Sequence, residues 1–450
     1  MPKTPGISAQ DTHPAHRTHR SIIPRRPARP TGRDRDTARR HRLRTTTIAL
    51  VSGALAATAF AAPARAQDGP ADRGHHRATQ QALDAVVAGG LPGITAAATD
   101  RHGLWQGASG IGDRRTKAPR GVNDRFRIAS ITKTFVATVL LQMETEGKLS
   151  LDDTVEKWLP GAVRGNGNDG SKITVRQLLN HTSGIYDFLE DPAYTAKYTS
   201  VSGFLKHRYE YRSPWVAVVA AMRNAPTSPP GTRQQYSNTN YVLAGLILQQ
   251  AGGRSYETEV RKRIIEPLKL RATTVPGNSS RMPGPGSRAY SKFSIDPAAT
   301  KVYDVTFQNA SQSWAEGDMI SSAADLNRFY SALLGGKLLR PEQLKAMKTV
   351  VPDPDDPSAS TGYGLGLEAF NTSCGKRLWG HTGGWFGSLS VAVTTEDGSH
   401  QLAYNTNGDW RGDELGLAME AEYCGTAPAA ASGRAGAGVL GAERKIRTGF

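Results

Sequence analysis

Apolar positions along the chain follow a strand-like pattern towards both ends and a helical one in between. Residues 94–99 and 104–111 are short apolar runs around a turn at 100–103, and they predict two strands. Before them, Leu83, Val86 and Val87 share the inner side of a helix that stops at Gly89-Gly90. After them, Phe135, Val136, Val139, Leu140 and Met143 recur at helical spacing, which predicts a helix with one buried face. From about 160 to 310 the chain is loop-rich with helical islands, clearest at 175–179 and 242–250. Residues 275–287 are crowded with Pro, Gly and Ser and read as a surface connection. Leu326, Phe329, Tyr330 and Leu333 predict a helix over 325–334. Short strands return at 364–370, 377–381, 388–394 and 401–405, followed by a last helix over 414–423. No internal repeat is evident.

Strands at both ends of a helical middle imply that the two ends meet in one sheet. The predicted fold is α/β (α+β): an antiparallel sheet domain from about 76–128 and 310–425, a helical domain inserted over about 129–309, and a cleft between them. Residues 67–75 read as a linker, and the Gly/Ala-rich tail over 426–450 as disordered.

The 450-residue chain carries a formal net charge of +16, which would suggest a nucleic-acid partner if it were spread over the fold. It is not spread. Residues 1–66 hold 13 Lys or Arg against 3 Asp, or +10, which leaves +6 for the rest, so no nucleic-acid partner is expected. The same residues read as an export signal. Arg39, Arg40, Arg42 and Arg44 precede a small apolar run over 48–62, and Ala64-Arg65-Ala66 offers a cleavage site. Arg39-Arg40 with Leu43 partly resembles a twin-arginine signal, although Arg42 stands where an apolar residue is usual, so both export routes stay open. The run is too short to span a membrane, and a secreted protein is expected. Cys374 and Cys424 are an even pair, consistent with one disulfide in an exported protein or with two buried thiols. The His residues are scattered and no ligand spacing surrounds the cysteines, so neither metal nor cofactor is expected.

Three short motifs carry chemistry. Ser130-Ile131-Thr132-Lys133 puts a hydroxyl and an ammonium one helical turn apart, where a desolvated Lys can act as base for the Ser. Tyr236-Ser237-Asn238 follows the Pro230-Gly231 turn and offers a phenol and an amide. His381-Thr382-Gly383-Gly384 lies on a late strand, where the two glycines let a ligand backbone approach an edge. The N–H groups of Gly384 and Ser130 are the candidate oxyanion donors. Ser373 to Lys376 repeats the Ser-x-x-Lys spacing in a predicted turn, and Arg447-Thr448-Gly449 repeats Thr-Gly in the tail. Neither has the structural context of the other three.

The order Ser-x-x-Lys, Tyr-x-Asn, His-Thr-Gly resembles the class C β-lactamase and penicillin-binding-protein-like serine hydrolases, and within them the secreted D-alanyl-D-alanine carboxypeptidases of actinomycetes. The likeness extends over about 75–425, through 124–127, 140–149, 173–177, 236–240, 362–367 and the segments around Cys374 and Cys424. It implies a β-lactamase/transpeptidase-like fold and an acyl-enzyme on Ser130, with Lys133 and Tyr236 as the acid/base pair. It gives Asn238 as a substrate and Lys contact, His381 as support for the Tyr and substrate, Thr382 as a substrate-carboxylate contact and Trp314 as a pocket wall. His181, within Leu179 to Gly184, is read as structural. The implied activity is that of a D-alanyl-D-alanine carboxypeptidase on cell-wall peptides. Alternatives on the same site are an esterase, a D-amino-acid amidase or a β-lactamase, and a further alternative is a non-catalytic cell-wall-binding protein. The expected partners are therefore a D-Ala-D-Ala-type peptide, an ester or a β-lactam, bound by a monomer. Two positions depart from the carboxypeptidase pattern. Glu368 stands where an Arg grips the substrate carboxylate, and Gly384 stands where a Thr contacts it.

Overall fold

The computed structural model describes residues 75–294, 298–352, 362–411 and 415–426. The leader over 1–66, almost all of the linker and the tail beyond Thr426 lie outside the described residues. Eight strands form one antiparallel sheet: β1 (Gly93–Asp100), β2 (Gly103–Gly110), β3 (Val351–Pro352), β4 (Gly362–Tyr363), β5 (Glu368–Asn371), β6 (Arg377–Trp385), β7 (Ser388–Thr395) and β8 (Gln401–Thr406). Their order is β2-β1-β8-β7-β6-β5-β4-β3, so a strand from the N-terminal side pairs directly with the last strand of the chain. This is the predicted architecture, an antiparallel sheet built from both ends of the chain and flanked by the inserted helices.

Both faces of the sheet are covered, which is why its central strands are buried almost throughout rather than at alternate residues. On one face, Ile94, Ala96, Val391, Val393, Leu402 and Tyr404 pack against α1 (Arg77–Ala88) and α5 (Gly416–Cys424), whose Leu83, Val86, Ala418 and Met419 point inward. On the other face, Ala97, Ala403 and Ala392 stand in register across β1, β8 and β7. That row of small side chains lets α4 (Ala323–Leu334) lie close to the sheet, and Asn327 donates to the Ala97 carbonyl at 2.9 Å. His381 is the next residue in the same row, on β6.

The remaining core lies between this face and the helical part. There α2 (Thr132–Thr145) was expected to bury one face, but 11 of its 14 residues are buried. The reason is its position in the middle. Phe135 stacks on Phe329 of α4 with centroids 3.7 Å apart, while α3 (Asn238–Gly252) covers the opposite side. α3 stops at Gly253, whose φ of 68° suits glycine and whose N–H caps Gln249. Cys374 and Cys424 form a disulfide with Cα atoms 5.8 Å apart, joining the β5–β6 turn to the end of α5. No helix among the described residues is long and apolar enough to cross a membrane.

Candidate active site

Ser130 lies in a tight turn, Ala129–Ile131, that runs directly into α2. Ala129 holds a φ of 45°, a left-handed conformation that costs a non-glycine residue roughly 1–2 kcal/mol and is kept only where its surroundings fix it. Here the Ile128 N–H is tied to the Met319 carbonyl at 2.9 Å, and Ala129 packs among Phe204, Val305, Trp385 and Phe386. The turn leaves Ser130 partly accessible while Lys133, one turn on, is completely buried.

Lys133 Nζ lies 2.9 Å from Ser130 Oγ, 2.8 Å from Asn238 Oδ1 and 2.8 Å from the Glu316 carbonyl. Its carboxylate contact is Glu316 Oε2 at 3.3 Å. Burial pushes the Lys133 pKa down, and Glu316 and Asp187 oppose that shift. Asn238 is the first residue of α3, and its amide is oriented from below. Asp187 accepts from both the Asn238 N–H (3.1 Å) and Nδ2 (2.8 Å), which leaves Oδ1 to face Lys133. Tyr236 precedes the helix, and Lys133 Nζ lies 5.0 Å from the centre of its ring. Burial raises the Tyr236 pKa well above the usual value, Ser130 lowers it, and the charges of Glu368 and Glu316 raise it further, so the phenol keeps its proton.

The Tyr236 ring rests on His181, centroids 4.2 Å apart. His181 is buried with a φ of 59°, and its Nδ1 accepts from the Ser237 N–H at 3.2 Å. His381 reaches the group through Tyr363, whose hydroxyl is 2.8 Å from His381 Nε2 and whose ring is 5.9 Å from that of Tyr236. Gly383 passes close to Ile128, just before the turn that carries Ser130. β5 pairs with β6 only as far as Gly380, so the stretch from Thr382 to Trp385 runs on past the end of β5. There Glu368 stands in for the missing strand, its Oε2 accepting from the Thr382 N–H at 3.0 Å and from Thr382 Oγ1 at 3.2 Å. Both Thr382 donors are thus engaged by a carboxylate belonging to the protein itself. Gly384 continues β6 opposite Leu389.

The three motifs therefore meet around Ser130, although they are more than 100 residues apart in sequence. Trp314, the expected pocket wall, begins the short turn Trp314–Glu316. It is buried with a φ of 45° and packs against Gly245 of α3 and, edge-on at 5.6 Å, against Tyr256. Asp187, Glu316 and Tyr363 were not singled out from the sequence. Tyr363 lies within the 362–367 run that carried part of the resemblance, whereas Asp187 and Glu316 sit in turns with no periodic or motif signal. Among the described residues no group of three or more His, Cys, Asp or Glu is placed to hold a metal ion.

Comparison with known proteins agrees with this fold. The Beta-lactamase family model matches residues 77–419. A D-stereospecific amidohydrolase from Streptomyces sp. superposes with a TM-score of 0.74 at 54% identity, covering 78% of this chain and 99% of that one. The D-amino acid amidase from Ochrobactrum anthropi SV3 gives a TM-score of 0.65 at 27% identity over 82% of this chain and 98% of that one. Penicillin-binding protein 4* of Bacillus subtilis is 26% identical over 314 residues, 68% of this chain and 65% of that protein. The chain thus spans just under two thirds of that relative's length, and 38% of the length of the Staphylococcus aureus protein flp. With a family match that takes in most of its length, the chain belongs to the Beta-lactamase family, as a serine-hydrolase fold related to class C β-lactamases, penicillin-binding proteins and D-amino-acid amidases.

Proposed function

We propose that this chain is an acyl-transfer hydrolase that forms an acyl-enzyme on Ser130 with D-aminoacyl amides, peptides or esters. The observation that carries the proposal is the fully buried Lys133 Nζ, 2.9 Å from Ser130 Oγ and 5.0 Å from the centre of the Tyr236 ring. Burial makes Lys133 the easier of the two to deprotonate and Tyr236 the harder. Lys133 then takes the Ser130 proton as Oγ attacks the carbonyl, and the neutral Tyr236 phenol supplies the proton that the leaving nitrogen needs. The N–H groups of Ser130 and Gly384 stabilise the oxyanion. The open edge of β6 beyond Gly380 supports binding of an extended acyl chain.

The D-configured substrate class is supported by the 54% identity to a D-stereospecific amidohydrolase. A D-alanyl-D-alanine carboxypeptidase would share the acyl chemistry and add a free carboxylate on the leaving side. The Glu368 carboxylate on Thr382 favours a neutral leaving group over that reading. Export is proposed as well, supported by the leader pattern and by the disulfide.

The test is the intact mass of the protein during turnover of D- and L-phenylalanine amides and methyl esters, and after exposure to benzylpenicillin. Faster turnover of the D-compounds, with an adduct on Ser130 that is absent from Ser130→Ala, is the expected result. Unchanged turnover in Ser130→Ala would overturn the mechanism, and equal rates for both enantiomers would overturn the substrate class.

A further inference from the structure

Four oxygen atoms surround Lys133 Nζ: Asn238 Oδ1 and the Glu316 carbonyl at 2.8 Å, Ser130 Oγ at 2.9 Å and Glu316 Oε2 at 3.3 Å. An ammonium has three N–H donors to share among these four oxygens, and with no lone pair it cannot accept the serine proton. A neutral amine fits the site differently. Its two N–H groups serve Asn238 and the Glu316 carbonyl, and its lone pair faces Ser130. Reaching that state requires one proton to leave Lys133. The side chain is completely buried, so bulk water gives no direct route out. Among the described residues, Glu316 is the one carboxylate within ion-pair distance of Nζ.

We propose that Glu316 is a positioning residue that accepts the surplus Lys133 proton, so that Lys133 can take the Ser130 proton without exchange with bulk water. The inference rests on the reading of Ser130 as nucleophile. One N–H bond of Lys133 breaks and an O–H bond forms on Glu316 Oε2, with no change in the net charge of the pair. Lys133 then accepts the Ser130 proton as Oγ bonds to the substrate carbonyl. Once Lys133 has passed the Ser130 proton on through Tyr236 to the leaving group, the O–H bond of Glu316 breaks and its proton returns to Lys133.

The surroundings of Glu316 suit a group that holds a proton part of the time. It is itself buried, in the short turn Trp314–Glu316 behind α2. Burial pushes its pKa up to about 7, Asp187 adds to the rise, and Lys133 and the Ser313 hydroxyl pull it back. The other ionisable groups that feel its charge are Asp318 on its own segment, Tyr194 in the 192–198 helix, Tyr236 before α3 and Tyr256 after it. Glu368 acts on Lys133 from the sheet side.

The test is the pH dependence of kcat/KM for a D-aminoacyl ester in the full-length protein, its Glu316→Gln variant and its Glu316→Asp variant. Below about pH 7 the pair holds two protons and Lys133 stays an ammonium, so the natural enzyme loses activity as pH falls through about 7 and is level above it. In Glu316→Gln only Lys133 titrates against a neutral neighbour. The rate should keep rising where the natural enzyme levels off, the limb moving to higher pH by roughly one unit or more. Glu316→Asp should keep the original limb. A uniform loss of activity in Glu316→Gln, with the limb unmoved, would mean a merely structural role and would overturn the proposal. A second measurement does not depend on activity. Difference infrared spectroscopy should show a carboxylic-acid carbonyl band that titrates near pH 7 and is missing from Glu316→Gln. Its absence from the natural protein would sink the proposal whether or not Ser130 forms an adduct. Failure to label Ser130, with the band present, would instead sink the reading of the nucleophile.

Discussion

A methyl group on Gly383 would lie 2.2 Å from the carbonyl oxygen of Ile128, two residues before Ser130. The strand that lines the cleft and the turn that presents Ser130 thus touch backbone to backbone, and only a glycine allows the contact. Gly383→Ala must push the two apart, at a cost of about 1–3 kcal/mol for overpacking. We predict a lower melting temperature together with acylation slowed at least tenfold, read from adduct formation on Ser130. A variant that is destabilised but acylates normally would show that the spacing of β6 from the turn does not matter to the chemistry.

Lys133 and Tyr236 should separate by the leaving group of the substrate. Lys133→Arg keeps a cation that cannot give up its proton, so it should lose about 10²–10⁴-fold on every substrate. Tyr236→Phe removes the acid. Its loss should be of that size on an amide, whose nitrogen must be protonated to leave, and much smaller on a p-nitrophenyl ester, whose phenolate leaves unaided. Rates of the two variants on matched amide and ester pairs check this. Equal losses of Tyr236→Phe on both would assign the tyrosine to serine activation instead.

Away from the cleft, Glu422 ties three elements together. It accepts from Thr79 and is bonded to His76 at the start of α1 and to His400 on the turn before β8. Burial pushes its pKa up, but His400 and His76 outweigh that and hold it at about 2. A carboxylate with a depressed pKa gives stability above its unfolded value, about 4.3, that is lost as pH falls towards 2. The full effect is on the order of a few kcal/mol. Glu422→Gln should therefore be less stable near neutral pH and show a flatter loss of stability between pH 4.5 and 2 than the natural protein. Urea unfolding across that range measures the difference, and parallel curves would refute it.

The Cys374–Cys424 disulfide closes a loop of 50 residues that contains β6, β7 and β8. Constraint of the unfolded chain by such a loop contributes about 4 kcal/mol. Replacing both cysteines by alanine should lower the melting temperature by several degrees. Activity at 20 °C should change little, because the bond lies outside the Ser130 cluster. A large loss of activity in a still-folded variant would mean that the bond positions the cleft strands.

The sequence by itself determined the layout of the fold and three of its chemical motifs. Short apolar runs at both ends predicted strands that do pair, and the helical spacing of Phe135 to Met143 and of Leu326 to Leu333 located α2 and α4. These features are legible because backbone periodicity imprints them locally. Ser130, Lys133, Tyr236, Asn238 and His381 could be singled out because each sits in a short motif whose spacing the proposed reaction would constrain. Only the tertiary structure decided what surrounds Lys133 and how Asn238 is turned. Those depend on Glu316, 183 residues from Lys133, and on Asp187, 51 residues from Asn238, both ordinary acidic residues in turns. An acidic side chain in a turn reads as solvated until the fold is known, and its role here comes from the burial that brings it against a partner. The same holds for Glu368. Its sequence position suggested repulsion of a substrate carboxylate, and the fold shows where its charge goes, onto the two donors of Thr382.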